Sequence, residues 1–122
     1  MIYNNYELRF YVNSGNGKQP ALEYIERQNN KNQAKIFKFI DLLLENEGYL
    51  DEPYSKHIKG KIRELRVDFS NNKHRIFYFA LINKKIILLH AFLKKTQKTP
   101  PEEIKRAENN YFDAINNLEI YE

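Results

Sequence analysis

The apolar residues of the chain alternate in short runs and recur at helical spacing in longer ones. Alternation predicts an opening strand over residues 6–12, which the polar and glycine-rich residues 13–17 end. Pro20 suits the first turn of a helix. A second helix is predicted from Lys31, and Gly48 is predicted to cap its end. Its apolar positions are Ile36, Phe37, Ile40, Leu43 and Leu44.

The middle of the chain predicts three strands in close succession. They cover residues 62–69, 74–82 and 85–93, with turns at 70–72 and 83–84, and residues 50–56 are interpreted as a polar connector. The third strand is apolar on both faces, as expected of a central or well-covered strand. A final helix is predicted to start within residues 99–103, where a polar cap, two prolines and two acids occur together. One apolar stripe follows: Ile104, Ala107, Tyr111, Ile115 and Leu118.

The order β-α-α-β-β-β-α predicts an α+β fold in a single domain covering residues 1–122. The compact arrangement is a small, mainly antiparallel sheet with a helix hairpin and the terminal helix packed on it. The opening strand has to pair with a later strand, because one strand alone leaves its backbone groups unsatisfied.

Composition narrows the function classes. The chain has no cysteine, which excludes disulfides, a thiolate nucleophile and a cysteine zinc site. The first residues lack the features of a signal peptide, and the longest apolar runs, such as residues 86–89, are far shorter than a membrane span. We therefore expect a soluble, cytoplasmic protein. No metal-binding motif is recognised, so no metal or cofactor is predicted.

Charge is distributed unevenly along the chain. Residues 56–98 contain twelve Lys and Arg against two Asp and Glu, a balance of +10. The remaining residues contain eight basic against fourteen acidic side chains, a balance of −6. A segment this basic, laid over three strands, points to a polyanion, most simply RNA or DNA.

Four residues of the basic segment are candidates for catalysis on RNA. Arg66 points away from the apolar face of its strand, and Arg75 lies at the start of the next strand. Lys94 follows the end of the third strand. His90 lies within that third strand and has the same parity as Ile86, Leu88 and Phe92. Attack by a ribose 2′-hydroxyl requires a base, an acid and cations on the phosphate, and no metal. Arginine supplies paired donors, and a lysine crowded by cations loses its proton more easily.

Each candidate also has a simpler structural interpretation. A histidine with apolar neighbours, such as His90, is more often structural than catalytic, and His57 and His74 are predicted at the surface near strand ends. Arg63 can simply pair with nearby acids. Phe77 and Phe79 are predicted in the core, whereas Tyr78 has the opposite parity and could stack on a base or donate a hydrogen bond.

Three sequence motifs in this region resemble the HigB-like, phage-derived branch of the RelE/ParE toxin superfamily of type II toxin-antitoxin systems. They are KGKIRELR at residues 59–66, RIFY at 75–78 and LLHAFLKKTQKTP at 88–100, the last continuing as PEEIKRA to residue 107. The residues PALEYI at 20–25 are similar to the first helix of that family.

The resemblance implies a fold and an activity. It implies a curved antiparallel sheet with a helical hairpin on one side and a C-terminal helix. It also implies a metal-independent endoribonuclease that cuts mRNA in the ribosomal A site. By position, Arg66 and Arg75 would bind phosphate, and His90 and Lys94 would lie in the active site. Further RNA contacts are expected from Lys59, Lys61, Lys95, Lys98 and Tyr78.

The resemblance also implies partners. The cognate antitoxin would be a helix-turn-helix protein, HigA-like, that binds operator DNA, so that the toxin reaches DNA only through it. No membrane partner is expected. Two alternatives remain: a ParE-like toxin that poisons DNA gyrase, and an inactive prophage-derived protein that binds nucleic acid or its partner.

Overall fold

The computed structural model describes residues 2–3, 5–81 and 83–122, and shows an α+β protein built on a mixed six-stranded sheet. Its elements in chain order are β1 (Ile2–Tyr3), β2 (Tyr6–Phe10), α1 (Pro20–Glu26), α2 (Asn30–Glu45), β3 (Ser55–Lys59), β4 (Ile62–Phe69), β5 (Asn72–Ala80), β6 (Lys85–Leu93), α3 (Pro101–Ile115) and a 3₁₀ turn (Leu118–Tyr121). The strand order is β1-β2-β6-β5-β4-β3. Strand β2 runs parallel to β6, and all other neighbours are antiparallel.

Helices cover both faces of the sheet. Helices α1 and α2 pack on one face, where Ile25, Ile36 and Leu43 meet Leu65 and Ile76. Helix α3 and the 3₁₀ turn pack on the other, where Ala107, Ala114 and Tyr121 belong to one cluster with residues of β5 and β6. The central position expected for the third predicted strand, β6, is confirmed. None of the helices in the part of the chain that the structure describes has the length and hydropathy needed for a membrane span.

The helix starts follow from local chemistry. Pro20 is the first residue of α1, as predicted, because its missing N–H is not needed there. Asn29 caps α2, and its side chain accepts a hydrogen bond from the Asn32 amide at 2.9 Å. Helix α2 therefore begins one residue before the predicted Lys31. Gly48 follows the end of α2 with a φ of +88°, a conformation that glycine adopts without strain.

The strands differ from the prediction mainly at their ends. The opening strand ends at Phe10 rather than at residue 12, and it pairs with β6, which confirms that it joins a later strand. Strand β5 starts at Asn72 because Ser70 and Asn71 both have positive φ, which gives a tight two-residue turn. It ends at Ala80, and residue 82, the predicted end, lies outside the described residues.

Two strands were missed. Strand β3 occupies part of the predicted polar connector and the residues after it, and β1 contributes only two residues. The sequence of β3, SKHIK, has one apolar residue and two lysines, so it lacks the alternation that predicts a strand, and such charged residues are common on edge strands. The predicted order was therefore two strands short, and the RelE-like order that the resemblance implies stays a prediction.

His74 is buried, so its predicted surface position is wrong. Its Nε2 lies 2.7 Å from Asn32 Oδ1, and its Nδ1 lies 2.7 Å from the Tyr24 hydroxyl. Because an amide oxygen only accepts, Nε2 carries the proton and Nδ1 accepts from Tyr24. The neutral ring thus ties β5 to both α1 and α2. Burial, followed by the charge of Arg75, lowers the pKa of His74.

We expect His74 to make the fold sensitive to acid. Its pKa is lower in the folded protein than in the unfolded chain, so the unfolded chain binds more protons as the pH falls below about 6.5. The free energy of unfolding should therefore decline between pH 7 and pH 5. The substitution His74→Gln should cost about 1–3 kcal/mol at pH 8 and make this decline shallower. Urea denaturation across this pH range measures both, and an equal decline in the two proteins would contradict the assignment.

Candidate functional site

Three of the four predicted catalytic residues meet on the sheet face that α3 covers. Arg66 of β4 and Arg75 of β5 are direct cross-strand partners, and Arg75 is in turn the partner of Phe92 of β6. Lys94 lies two residues beyond Phe92, and its amide donates to the carbonyl of Lys73 at 2.9 Å. We call Arg66, Lys73, Arg75 and Lys94 the cationic cluster. It lies beside the loop that joins β6 to α3.

Arg75 is the most buried member of the cationic cluster, with 4% of its surface exposed. Its Nη1 donates to Asp68 Oδ1 at 2.7 Å and to the His74 carbonyl at 3.0 Å. Its Nε is buried and has no hydrogen-bond partner among the described residues. An unpaired buried donor carries a free-energy cost, which an added acceptor such as a phosphate oxygen would relieve.

Glu64 holds Arg66 in place. The carboxylate is fully buried, and its Oε1 accepts from Arg66 Nε at 3.1 Å while its Oε2 accepts from the Thr99 hydroxyl at 3.3 Å. Side chains two residues apart on a strand lie on the same face, so the Glu-Leu-Arg motif places the Glu64 carboxylate beside the Arg66 guanidinium. Glu64, Asp68 and Lys73 were not among the site residues predicted from the sequence, although the i, i+2 spacing of Glu64 and Arg66 is visible there.

Lys94 is the group most affected by this crowding. Partial burial lowers its pKa, the charges of Arg75, Arg66 and Lys73 lower it further, and Glu64 opposes them. The expected direction for a lysine among cations is therefore confirmed. A larger neutral fraction near neutral pH allows its amine to accept a proton.

An open depression of about 480 Å³ adjoins the cationic cluster at the end of β5 and β6. Lys73, Lys94 and Lys95 are among its lining residues. Lys98 is exposed farther along the same loop. Lys95 therefore lies beside the cluster, and the contact of Lys95 and Lys98 with RNA stays a prediction.

His90 does not join the cationic cluster. Its ring stacks near those of Phe77 and Phe92, with centroid distances of 6.3 and 6.1 Å, and its Nε2 lies 3.1 Å from Glu103 Oε2 on α3. Burial lowers the pKa of His90, and the hydrogen bond and charge of Glu103 oppose that shift. This environment agrees with the structural interpretation of His90, and its catalytic role stays a prediction.

A bulge in β6 explains why the parity of His90 predicted the wrong face of the sheet. Tyr78 pairs with Leu88 while Phe77 pairs with His90, so one extra residue interrupts β6. Ile86 and Leu88 therefore face α1 and α2, whereas His90 and Phe92 face α3. The predicted shared parity of these four residues is wrong across the bulge.

Three of the predicted RNA contacts lie elsewhere. Tyr78 does lie on the opposite face of the sheet from Phe77 and Phe79. Helices α1 and α2 cover that face, however, and the Tyr78 side chain is fully buried. Its predicted availability for stacking on a base is therefore wrong. Lys59 and Lys61 flank the β3–β4 turn, at the opposite end of β4 from the cationic cluster, and Lys59 pairs with Glu108 at 3.0 Å.

The fold and the cationic cluster define a small α+β protein whose sheet has a basic end. The chain belongs to the family described as phage-derived protein Gp49-like (DUF891), whose profile matches residues 23–112 and so includes the whole cluster. This family is associated with RelE-like proteins and is often toxin-like in toxin-antitoxin contexts. No curated protein matches the chain.

Removing a negative or a positive neighbour of Lys94 should shift its pKa in opposite directions. The substitution Glu64→Gln removes the opposing negative charge and should lower the pKa further, whereas Arg66→Gln should raise it. NMR titration of the lysine side-chain resonances measures both shifts. The substitution Glu26→Gln, at an exposed position on α1, is the matched control and should leave Lys94 unchanged. Shifts of the same sign in the two cluster variants would exclude this account.

Proposed function

We propose that this protein is the toxin of a type II toxin-antitoxin system, of the HigB-like branch of the RelE/ParE superfamily, and that it cleaves mRNA in the ribosomal A site without a metal. The observation that carries the proposal is the meeting of Arg66, Arg75 and Lys94 at one end of the sheet. Membership of the Gp49-like family supports the toxin class.

The chemistry proposed for the cationic cluster is transfer of the phosphoryl group to the neighbouring ribose hydroxyl. Neutral Lys94 takes the proton of the 2′-hydroxyl, and the 2′-oxygen forms a bond to phosphorus. The bond from phosphorus to the 5′-oxygen then breaks, and Lys73, which lines the same depression, gives that oxygen a proton. Arg66 and Arg75 stabilise the negative charge that builds on the phosphate. The products are a 2′,3′-cyclic phosphate and a 5′-hydroxyl.

The partners proposed are those of such a toxin. The +10 balance of residues 56–98 favours association with the ribosome and mRNA through long-range attraction. A helix-turn-helix antitoxin, HigA-like, would neutralise the basic surface by acidic groups, by steric cover or by both. Operator DNA would be bound through the antitoxin.

Removal of the amine of Lys94 should abolish toxicity without unfolding the protein. We expect Lys94→Met to let cells grow on induction and to reduce codon-linked mRNA cleavage by about 100-fold or more, the usual contribution of a general base. The matched control is Lys38→Met, at an exposed position on α2, which should stay toxic. Growth after induction and mapping of new mRNA 5′ ends measure the two effects, and circular dichroism checks folding.

Other outcomes of the same experiment would overturn the proposal. Toxicity of the unchanged protein with intact mRNA and inhibited supercoiling would indicate a gyrase poison. Growth without any antitoxin would indicate an inactive prophage relic. Equal toxicity of folded Lys94→Met and the unchanged protein would remove Lys94 from the mechanism.

The proposed antitoxin should be encoded beside this gene and should restore growth when it is co-expressed. A complex of the two proteins should dissociate more readily as salt is raised, if charge contributes to their association. Size-exclusion chromatography at low and high salt measures this. A neighbouring reading frame that neither binds the protein nor restores growth would count against the system class.

A further inference from the structure

We propose a second RNA-binding site at the β3 edge of the sheet, formed by Tyr49, His57, Lys61 and Arg63, which holds a single-stranded segment away from the cationic cluster. We call these four residues the edge site. The inference rests on the proposed function in that RNA is taken as the ligand. It adds a contact that is separate from the chemistry.

Arg63 is held in one orientation by a ring and a hydroxyl. Its Cζ lies 4.7 Å from the centre of the Tyr49 ring, so the guanidinium and the ring form a cation–π contact. Its Nε donates to the Ser55 hydroxyl at 3.1 Å. The alternative that Arg63 pairs with a nearby acid is not observed among the described residues. Its guanidinium is therefore not neutralised by a carboxylate there.

A buried chain of hydrogen bonds fixes the position of the Ser55 hydroxyl that Arg63 contacts. The Tyr78 hydroxyl donates to the Gly48 carbonyl at 2.9 Å and lies 2.8 Å from the Ser55 hydroxyl. Because the Tyr78 proton goes to Gly48, Ser55 donates to Tyr78 and accepts from Arg63. The donors thus run in one direction, from Arg63 through Ser55 and Tyr78 to Gly48. A site whose arginine is fixed in this way loses little conformational entropy on binding.

The surface beside Arg63 is concave and basic. A depression of about 320 Å³ is lined by His57, Lys61 and Arg63 with Gly48, Gly60, Tyr78 and Ala80, and no carboxylate is among these described lining residues. The His57 ring is held by a contact of 2.8 Å between its Nε2 and the Gly60 carbonyl. Lys61 is exposed at the rim. Lys61 and Arg63 supply the positive charge that a phosphate group requires.

Exposed aromatic rings favour RNA over an acidic peptide. Tyr49 is 57% exposed although Arg63 covers part of it, and Tyr54 of the preceding loop is 51% exposed beside Phe39. Cations that lie beside exposed rings suit a single strand, because phosphates can contact the cations while bases stack on the rings. An acidic peptide would use the cations and leave the rings unused.

The position of the edge site suits a strand that continues to the cationic cluster. Arg63 and Arg66 lie three residues apart on β4, about 10 Å along the strand, and face opposite sides of the sheet. Only the edge strand β3 separates β4 from solvent on that side. An RNA chain that crosses β3 can therefore contact both sites.

The test is the binding of a fluorescent 2′-O-methyl RNA of about twelve nucleotides, which has no 2′-hydroxyl to react. We expect Arg63→Gln and Tyr49→Leu each to weaken its binding about fivefold or more. Arg63→Gln should also lower the salt dependence of binding, whereas Tyr49→Leu should affect the salt dependence less. The matched controls are Lys38→Met for charge and Phe112→Leu, on α3 and 53% exposed, for an exposed ring. Fluorescence anisotropy at several salt concentrations measures these effects.

The outcomes separate this inference from the proposed function. Unchanged RNA affinity in folded Arg63→Gln and Tyr49→Leu, with weaker binding by Lys94→Met, overturns the edge site and leaves the cationic cluster as the RNA site. A loss in Arg63→Gln alone, with Tyr49→Leu unchanged, overturns the stacking role and favours an acidic ligand. No measurable binding by the unchanged protein overturns the edge site, whereas the proposed function is judged separately by growth and by the mapping of mRNA 5′ ends after induction.

Discussion

The buried carboxylate of Glu64 is the interaction on which the cationic end of the sheet depends. The four positive side chains of the cationic cluster repel one another, and the fully buried acid beside Arg66 offsets part of that repulsion. Glu64 also accepts from Arg66 and from Thr99 in the loop before α3. One side chain therefore fixes an arginine, joins a loop to the sheet and limits how far the pKa of Lys94 falls.

Covered faces determine where a ligand can reach this sheet. Helices α1 and α2 close one face and α3 the other, so β5 and β6 are almost entirely buried. Polar side chains can meet solvent only where the helical cover ends, at the ends and edges of the strands. The cationic cluster lies at one such end, and the edge site lies beside the outermost strand.

Two histidines show how burial gives a titratable residue a structural role. His74 joins α1, α2 and β5 through its neutral ring, and His90 packs between aromatic rings and Glu103. Both pKa values are lowered by burial, so both rings favour the neutral form at neutral pH. Lys94, by contrast, combines a lowered pKa with a place on an open depression. Among these three groups, that combination favours Lys94 for proton transfer.

The sequence by itself determined the features that depend on near neighbours. Pro20 predicted the start of α1, alternation predicted β4, a continuous apolar run predicted β6, and the charge count predicted a basic segment. Tertiary structure decided what depends on pairing between distant strands. Strand register brought Arg66 opposite Arg75, the bulge in β6 turned His90 toward α3, and cover by α1 and α2 buried Tyr78. These outcomes could not be predicted from the sequence, because residues far away in the chain determine which face a side chain occupies and how exposed it is.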